Sequence, residues 1–245
     1  MLVEIYPRLH LGLISLHDNA IRRNGGVGFS ITKPSTTITF KACPEFKFKD
    51  HRKWGLGKNE TWNLNTVIEE TKASYKFKSN LNISIDGDFG THIGMGSGTA
   101  IRLACLEALF AINNYPIENS KLISLSGRGG TSGVGIRTYF NGGLILDLGR
   151  STGIKEILPS SQGRNHSIPT NIQNIKMPNW KMGVCLPNKI KRKTQAEELQ
   201  FFESNTPLKP KSSYETCYLA LFGICLLYTS PSPRDATLSR MPSSA

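Results

Sequence analysis

Apolar positions along this chain fall into two periods. In the first fifty residues short apolar runs alternate with turn residues, and 9–14, 27–31 and 36–42 read as strands. Asn24-Gly25-Gly26 between them reads as a tight turn. Residues 50–60 are polar and read as loop. Leu64, Val67, Ile68 and Ala73 recur at helical spacing and predict a helix over 61–77. Leu81, Ile83 and Ile85 alternate, which places them on one face of a strand over 81–85. A helix over 100–112 follows, with Leu103, Leu106, Leu109 and Phe110 spaced for it. Arg102 and Glu107 are its only charged residues, so the helix is predicted to be central.

The later chain is less regular. Residues 116–126 read as a second helix, 127–135 as a glycine-rich loop, and 144–148 as a strand after the Asn141-Gly142-Gly143 turn. The stretch 150–176 reads as a polar loop, 180–186 as a strand and 196–203 as a helix. The fold class expected is α+β. From Cys225 onward the residues read as the translation of a transposon-type sequencing adapter, with 236–238 as its variable index. Residues 225–245 are therefore set aside as a non-native tail, with the native sequence interrupted near Ile224.

Composition narrows the class. The chain has 245 residues, 38% of them hydrophobic, enough for a sizeable core. No apolar stretch approaches the length of a membrane span, and the N-terminus has no signal-peptide pattern. Cysteines 43, 105, 185, 217 and 225 form no C-x-x-C pair, so they are expected to be buried apolar residues in a reducing, cytoplasmic setting. The net charge of +12 asks for an anionic partner. The basic residues are dispersed, with a dense cluster only at 189–193, which favours a phosphorylated metabolite over nucleic acid or membrane.

The candidate chemistry lies in two glycine-rich segments. Gly94-Met95-Gly96-Ser97-Gly98-Thr99 joins a strand to the apolar helix. Glycine lets the backbone approach an anion, and the free N–H groups and dipole of a helix start favour negative charge. No Gly-Lys-Ser/Thr follows, so this is not a Walker A loop, and the alternating glycines do not form a Rossmann fingerprint. The second segment is Gly127-Arg128-Gly129-Gly130-Thr131-Ser132-Gly133-Val134-Gly135. Gly94, Gly96, Ser97, Gly98 and Thr99 are the candidate phosphate cradle, and Gly129, Gly130, Thr131 and Ser132 its opposing wall.

These segments, with Pro7-Arg8-Leu9-His10-Leu11-Gly12-Leu13 and Asn24-Gly25-Gly26-Val27-Gly28, resemble the GHMP kinase superfamily. Within it the resemblance is closer to the β-ribofuranosylaminobenzene 5'-phosphate synthases of methanopterin biosynthesis. The stretches lie in the family's order and cover most of 1–150. The resemblance implies an N-terminal phosphate-binding domain over 1–174 with a left-handed βαβ crossover, against the usual hand. It implies an incomplete ferredoxin-like domain from 175 to 224. It also implies a reaction. Phosphoribosyl pyrophosphate and 4-aminobenzoate or 4-hydroxybenzoate would give the C-riboside phosphate, carbon dioxide and pyrophosphate, with magnesium and no organic cofactor.

Superfamily kinases carry an Asp where this chain, counted back from Gly142-Gly143, has Gly135. Glycine cannot take a proton, which argues against a kinase. An ATP-dependent small-molecule kinase and a non-catalytic nucleotide-binding protein stay as alternatives. Arg8, His10 and Arg128 are the candidate catalytic residues, and His92, Asn24, Gly25 and Gly26 the candidate substrate contacts. Asp18, Arg22 and Arg23 are weaker candidates. Asp86 and Asp88 read as turn formers with magnesium as the other reading. A second copy of the chain is kept as a candidate partner.

Overall fold

The computed structural model describes residues 1–91, 93–129, 132–151, 169, 171–177, 181–185 and 195–225. Two sheets organise it. The first holds β1 (Leu2–Ile5), β4 (Thr36–Cys43), β6 (Asn80–Gly87) and β5 (Lys47–Asp50), in the order β1-β4-β6-β5. β5 and β6 run parallel and are joined by the helix α1 (Lys58–Tyr75), while the other pairs are antiparallel. The second sheet has the order β2-β3-β7-β9, built from β2 (Arg8–Ser15), β3 (Arg22–Ser30), β7 (Leu144–Asp147) and β9 (Asn171–Ile175), with β8 (Arg150–Ser151) pairing the start of β3.

The alternation in β6 has its expected consequence: Leu81, Ile83 and Ile85 are fully buried. They pack with Ile38 and Phe40 of β4, Leu64 and Ile68 of α1, and the helix α2 (Ser97–Ile112). Ten residues of α2 are buried, so it is the central element its sequence predicted. The short helix α3 (Asn119–Ser126) covers it through Leu122. A second cluster lies on the other sheet: Ile14, Val27, Phe29, Leu144 and Leu146 close over Ala220. Ala220 belongs to a π-helical stretch, Leu219–Cys225, that continues the helix α6 (Pro210–Tyr218). Leu16 ties α6 to the end of β2: its carbonyl accepts from the Leu208 N–H at 2.7 Å, and its own N–H donates to Ser213 Oγ. The helix α5 (Gln195–Asn205) precedes α6.

Five expectations change. The stretch 150–176, read as a polar loop, carries β8 and β9, because both ends pair with the second sheet. Asn24-Gly25-Gly26 is no turn but lies inside β3, where Asn24 and Gly25 take positive φ of 64° and 77°. A Cβ on Gly25 would stand 2.5 Å from the Asp147 carbonyl, so the kink lets β3 press against the β7–β8 corner. The second glycine-rich segment is not all loop: Val134–Asn141 is a helix, α4, with Gly135 in its first turn. Residues 181–185 form no strand, because each is exposed and none has a pairing partner among the described residues. Of the described cysteines only Cys105 is buried; Cys43 and Cys217 are half-buried and Cys185 is exposed. Residues 226–245, most of the adapter-like tail, lie outside the described residues.

Candidate active site

The site forms where β2, the start of α2 and the start of α4 meet. The candidate phosphate loop, residues 94–99, is held by its neighbours. Asp50 and Arg52 make a buried ion pair at 2.7 Å, and Arg52 Nη1 donates to the Phe89 carbonyl at 3.1 Å. Thr91 N–H donates to the Trp54 carbonyl at 2.7 Å. Met95 is buried in the first core. The loop is thus fixed on both sides of Gly94, whose φ of 82° is left-handed and whose surroundings are open.

Helix α2 starts at Gly96, which has a φ of 69° and no side-chain cap, so first-turn N–H groups are left for a ligand. Ser97 does not add its hydroxyl to them: it is buried and donates to the Gly90 carbonyl at 3.3 Å. Gly98 and Thr99 continue the first turn, and a Cβ on Gly98 would meet nothing.

Arg8 is the centre of the site. Its backbone N–H donates to the Met95 carbonyl at 3.0 Å, and Nη1 donates to the Gly96 carbonyl at 2.7 Å. Its guanidinium lies between two glycines. A Cβ on Gly96 would stand 2.0 Å from Nη1, and one on Gly135 would stand 2.6 Å from Cζ. Both positions must be glycine for Arg8 to lie where it does. Burial, and then the positive charge of Arg128, pull Arg8 down to about 10, so it stays charged at neutral pH. Two like charges are thus held together beside a helix start, an arrangement that a bound anion stabilises.

His10 follows on β2. Its Nε2 lies 3.2 Å from Ser132 Oγ, and Gly26 leaves room for the ring. The ring keeps contact with solvent, as a group on the floor of an open cleft does. The surrounding protein mass, and then the charge of Arg8, lower its pKa to about 4, so the imidazole is neutral near pH 7. Ser132 Oγ also accepts from the N–H of Val134, the first residue of α4, at 3.2 Å.

Behind Ser132 sits Asp147, 1% exposed, which the sequence reading did not single out. It accepts from the N–H groups of Gly133 and Gly149, and from the Ser132 hydroxyl. Burial outweighs these hydrogen bonds and the charge of Arg150, and raises its pKa. Its one signal in the sequence was a carboxylate ending the apolar run Leu144-Ile145-Leu146.

The remaining candidates are placed as follows. Arg128 borders the cleft beside Arg8, and its N–H donates to Ser126 Oγ. Gly129 lies against Ile136, and Arg150 donates to its carbonyl. Asn24 and Gly25 lie at the β3 kink beside Gly149, not in the cleft with Arg8. Arg22 donates to the Leu148 and Gly149 carbonyls, and Arg23 pairs with Asp18 at 3.7 Å. Asp86 accepts from Ser84 at the end of β6, and the Asp88 N–H donates to the Ser35 carbonyl. His92, Gly130 and Thr131 lie outside the described residues.

The described residues do not fit a resident magnesium. No group of three His, Cys, Asp or Glu among them is placed to hold a metal, and Asp147, behind Ser132, has both oxygens engaged. No described helix is long and apolar enough to cross a membrane.

Comparison with known proteins bears on the family and the fold. Residues 63–139 match the GHMP kinases N terminal domain. The chain is 30% identical over 216 residues to a β-ribofuranosylphenol 5'-phosphate synthase of Archaeoglobus fulgidus, covering 87% of this chain and 66% of the relative. It is 27% identical over 212 residues to the enzyme of that name from Methanothermobacter thermautotrophicus, covering 85% and 64%. The chain thus spans just under two thirds of the length of these relatives. A mevalonate pyrophosphate decarboxylase of Streptococcus pyogenes shares the fold, with a TM-score of 0.55 and 10% identity over 98% of this chain and 71% of that one.

Proposed function

We propose, for a chain that belongs to the GHMP kinase superfamily, that it joins phosphoribosyl pyrophosphate to 4-hydroxybenzoate, releasing carbon dioxide and pyrophosphate. The observation that carries the reading is Arg8 lying across Gly135. A superfamily kinase would place its acid there; this chain places a cation, beside a second cation and a helix start. Such a site lacks a carboxylate at the kinase position, and it suits a departing pyrophosphate. The phenol in the relatives' names favours 4-hydroxybenzoate over 4-aminobenzoate.

In this reading the α2 N–H groups, Arg8 and Arg128 take up the charge that grows on pyrophosphate as the bond from ribose C1 to oxygen breaks. The ring carbon bearing the carboxylate forms the new bond to C1. The bond to the carboxylate then breaks, its electron pair returns to the ring, and carbon dioxide leaves. Neutral His10, held by Ser132 and through it by Asp147, is placed to hydrogen-bond the substrate without adding a proton. Magnesium enters as a companion of the pyrophosphate substrate. The left-handed crossover belongs to the same reading, as do the boundary near 175, the incomplete ferredoxin-like domain, a cytoplasmic setting and self-association. The shared superfamily fold supports the crossover and the division of the chain.

The test is to incubate the full chain with phosphoribosyl pyrophosphate, carboxyl-labelled 4-hydroxybenzoate and magnesium. Labelled carbon dioxide should appear in step with pyrophosphate. ATP consumption with no carbon dioxide would sink the proposal in favour of a kinase.

A further inference from the structure

Beside Arg8 the surface folds in between β1, α2 and α4. The recess holds about 270 Å³. That is a little under the roughly 300 Å³ floor for drug-sized ligands, and it suits one substituted ring better than a nucleotide. Its walls are mainly apolar and aromatic, with Val3, Tyr6 and Phe140 among them. Polar groups interrupt them: Glu4 accepts from the Tyr6 hydroxyl and pairs with Lys33, Thr138 Oγ1 donates to the Val134 carbonyl, and two more bear on a ligand. One is Arg8, at the edge shared with Gly96 and Gly135. The other is the pair Glu107 and Tyr139, where the Tyr139 hydroxyl donates to Glu107 Oε2 at 2.5 Å. Burial, and then that hydrogen bond, push the Tyr139 hydroxyl far up, so it keeps its proton and stays the donor. A carboxylate has two oxygens, and the described hydrogen bond uses one.

We infer that this recess is the binding site of the benzoate, with its carboxylate at Arg8, its ring against Phe140 and Val3, and its para-hydroxyl donating to Glu107. This rests on the proposed reaction and assigns the half of it that the phosphate loop does not explain. The occupant follows from the arrangement of charge. A group negative at one end meets the guanidinium, its apolar middle meets the walls, and its donor end meets a carboxylate. A phosphate at the Glu107 end is repelled. Arg8 also borders the phosphate loop, so the carbon bearing the carboxylate lies nearest the site of the pentose.

The position of Glu107 has a chemical use. Reaction at the carbon para to the hydroxyl needs electron density pushed into the ring. A carboxylate accepting the phenolic hydrogen bond supplies it, and takes the proton if it transfers. When the new carbon–carbon bond has formed and carbon dioxide has left with the carboxylate carbon, the proton returns to the product oxygen. No oxidant or further reactant is needed.

Calorimetric titration of the full chain tests this with three probes: 4-hydroxybenzoate, unsubstituted benzoate and inorganic pyrophosphate. The native chain should prefer 4-hydroxybenzoate to benzoate by about tenfold or more, because the hydroxyl finds a built acceptor. Glu107→Gln should bring that preference below about threefold. Val3→Phe, which fills the recess, should weaken both benzoates by about tenfold. Both variants should keep pyrophosphate affinity within about twofold, which also reports that they fold. If both bind the benzoates as the native chain does, the recess is wrong and the reaction stands. If the native chain binds neither benzoate and consumes ATP, both readings fall. Equal loss of pyrophosphate binding in both variants also overturns the assignment, because the recess is then inseparable from the cradle.

Discussion

At the scale of single residues the site turns on what is absent. Gly96 and Gly135 contribute no side chain, and Arg8 fills the space between them. Gly135→Asp puts a Cβ 2.6 Å from the Arg8 Cζ and a carboxylate beside the guanidinium. An Asp in the first turn of α4 suits the helix dipole, so the variant should fold. The new carboxylate will pair with Arg8 and repel pyrophosphate. Carbon dioxide release should fall by about 100-fold or more, the loss expected when a charge-stabilising donor is removed. Gly135→Ala is the steric control and should lose less. An Asp variant that keeps over about a tenth of native turnover rules out this role for Arg8. The sequence, counted back from Gly142-Gly143, has Gly135 where the resemblance implies a kinase's acid. It did not show what replaces the acid, because Arg8 is 127 residues away and comes to Gly135 only through the packing of β2 against α4. Glu107 was visible as one of two charges on an apolar helix, but the sequence did not show that it meets Tyr139 at the recess.

At the scale of elements, legibility followed how local the forces are. α1, α2 and β6 announce themselves because one face repeats along a continuous segment. The kink in β3 looked like a turn because Asn-Gly-Gly takes positive φ either way. Whether the chain then reverses or continues depends on pairing with β2 and β7. The stretch 50–60 looked like plain loop, yet it holds the support of the phosphate loop. Arg52 makes the ion pair with Asp50 and also donates to Phe89, so removing it leaves a buried carboxylate unpaired. Arg52→Met should cost about 3–5 kcal/mol, and the double variant with Asp50→Asn less. Urea unfolding followed by circular dichroism checks both. Burial alone would raise the Asp50 pKa, but the hydrogen bonds from Arg52 and Leu56 outweigh it and the net shift is downward. A depressed carboxylate stabilises above its unfolded pKa and loses that contribution as pH falls through its folded one. The gap between native chain and double variant should therefore narrow in acid. A single variant that costs less than about 1 kcal/mol would leave the loop held by other contacts.

At the scale of the whole molecule, a charge of +12 says that an anion is wanted but not where, and the fold supplies the place. Most basic residues are dispersed; Arg8 and Arg128 are forced together, and burial lowers the cost of neither. Filling that site relieves a repulsion built into the folded state, so an anion that bridges the two should stabilise the fold as well as bind. At a hundred times its dissociation constant, pyrophosphate should add about 2.7 kcal/mol. For a chain of this size that is roughly 5–10 °C in melting temperature. The gain should shrink with added salt, less steeply than for a fully exposed site, because buried charges are less screened. Gly135→Asp should abolish most of it, since its carboxylate already answers Arg8. Glu107→Gln, in the recess beside the same arginine, should leave it intact. Equal stabilisation of the native chain and Gly135→Asp would mean that pyrophosphate binds to dispersed surface lysines, and the two glycine-rich segments would then need another ligand.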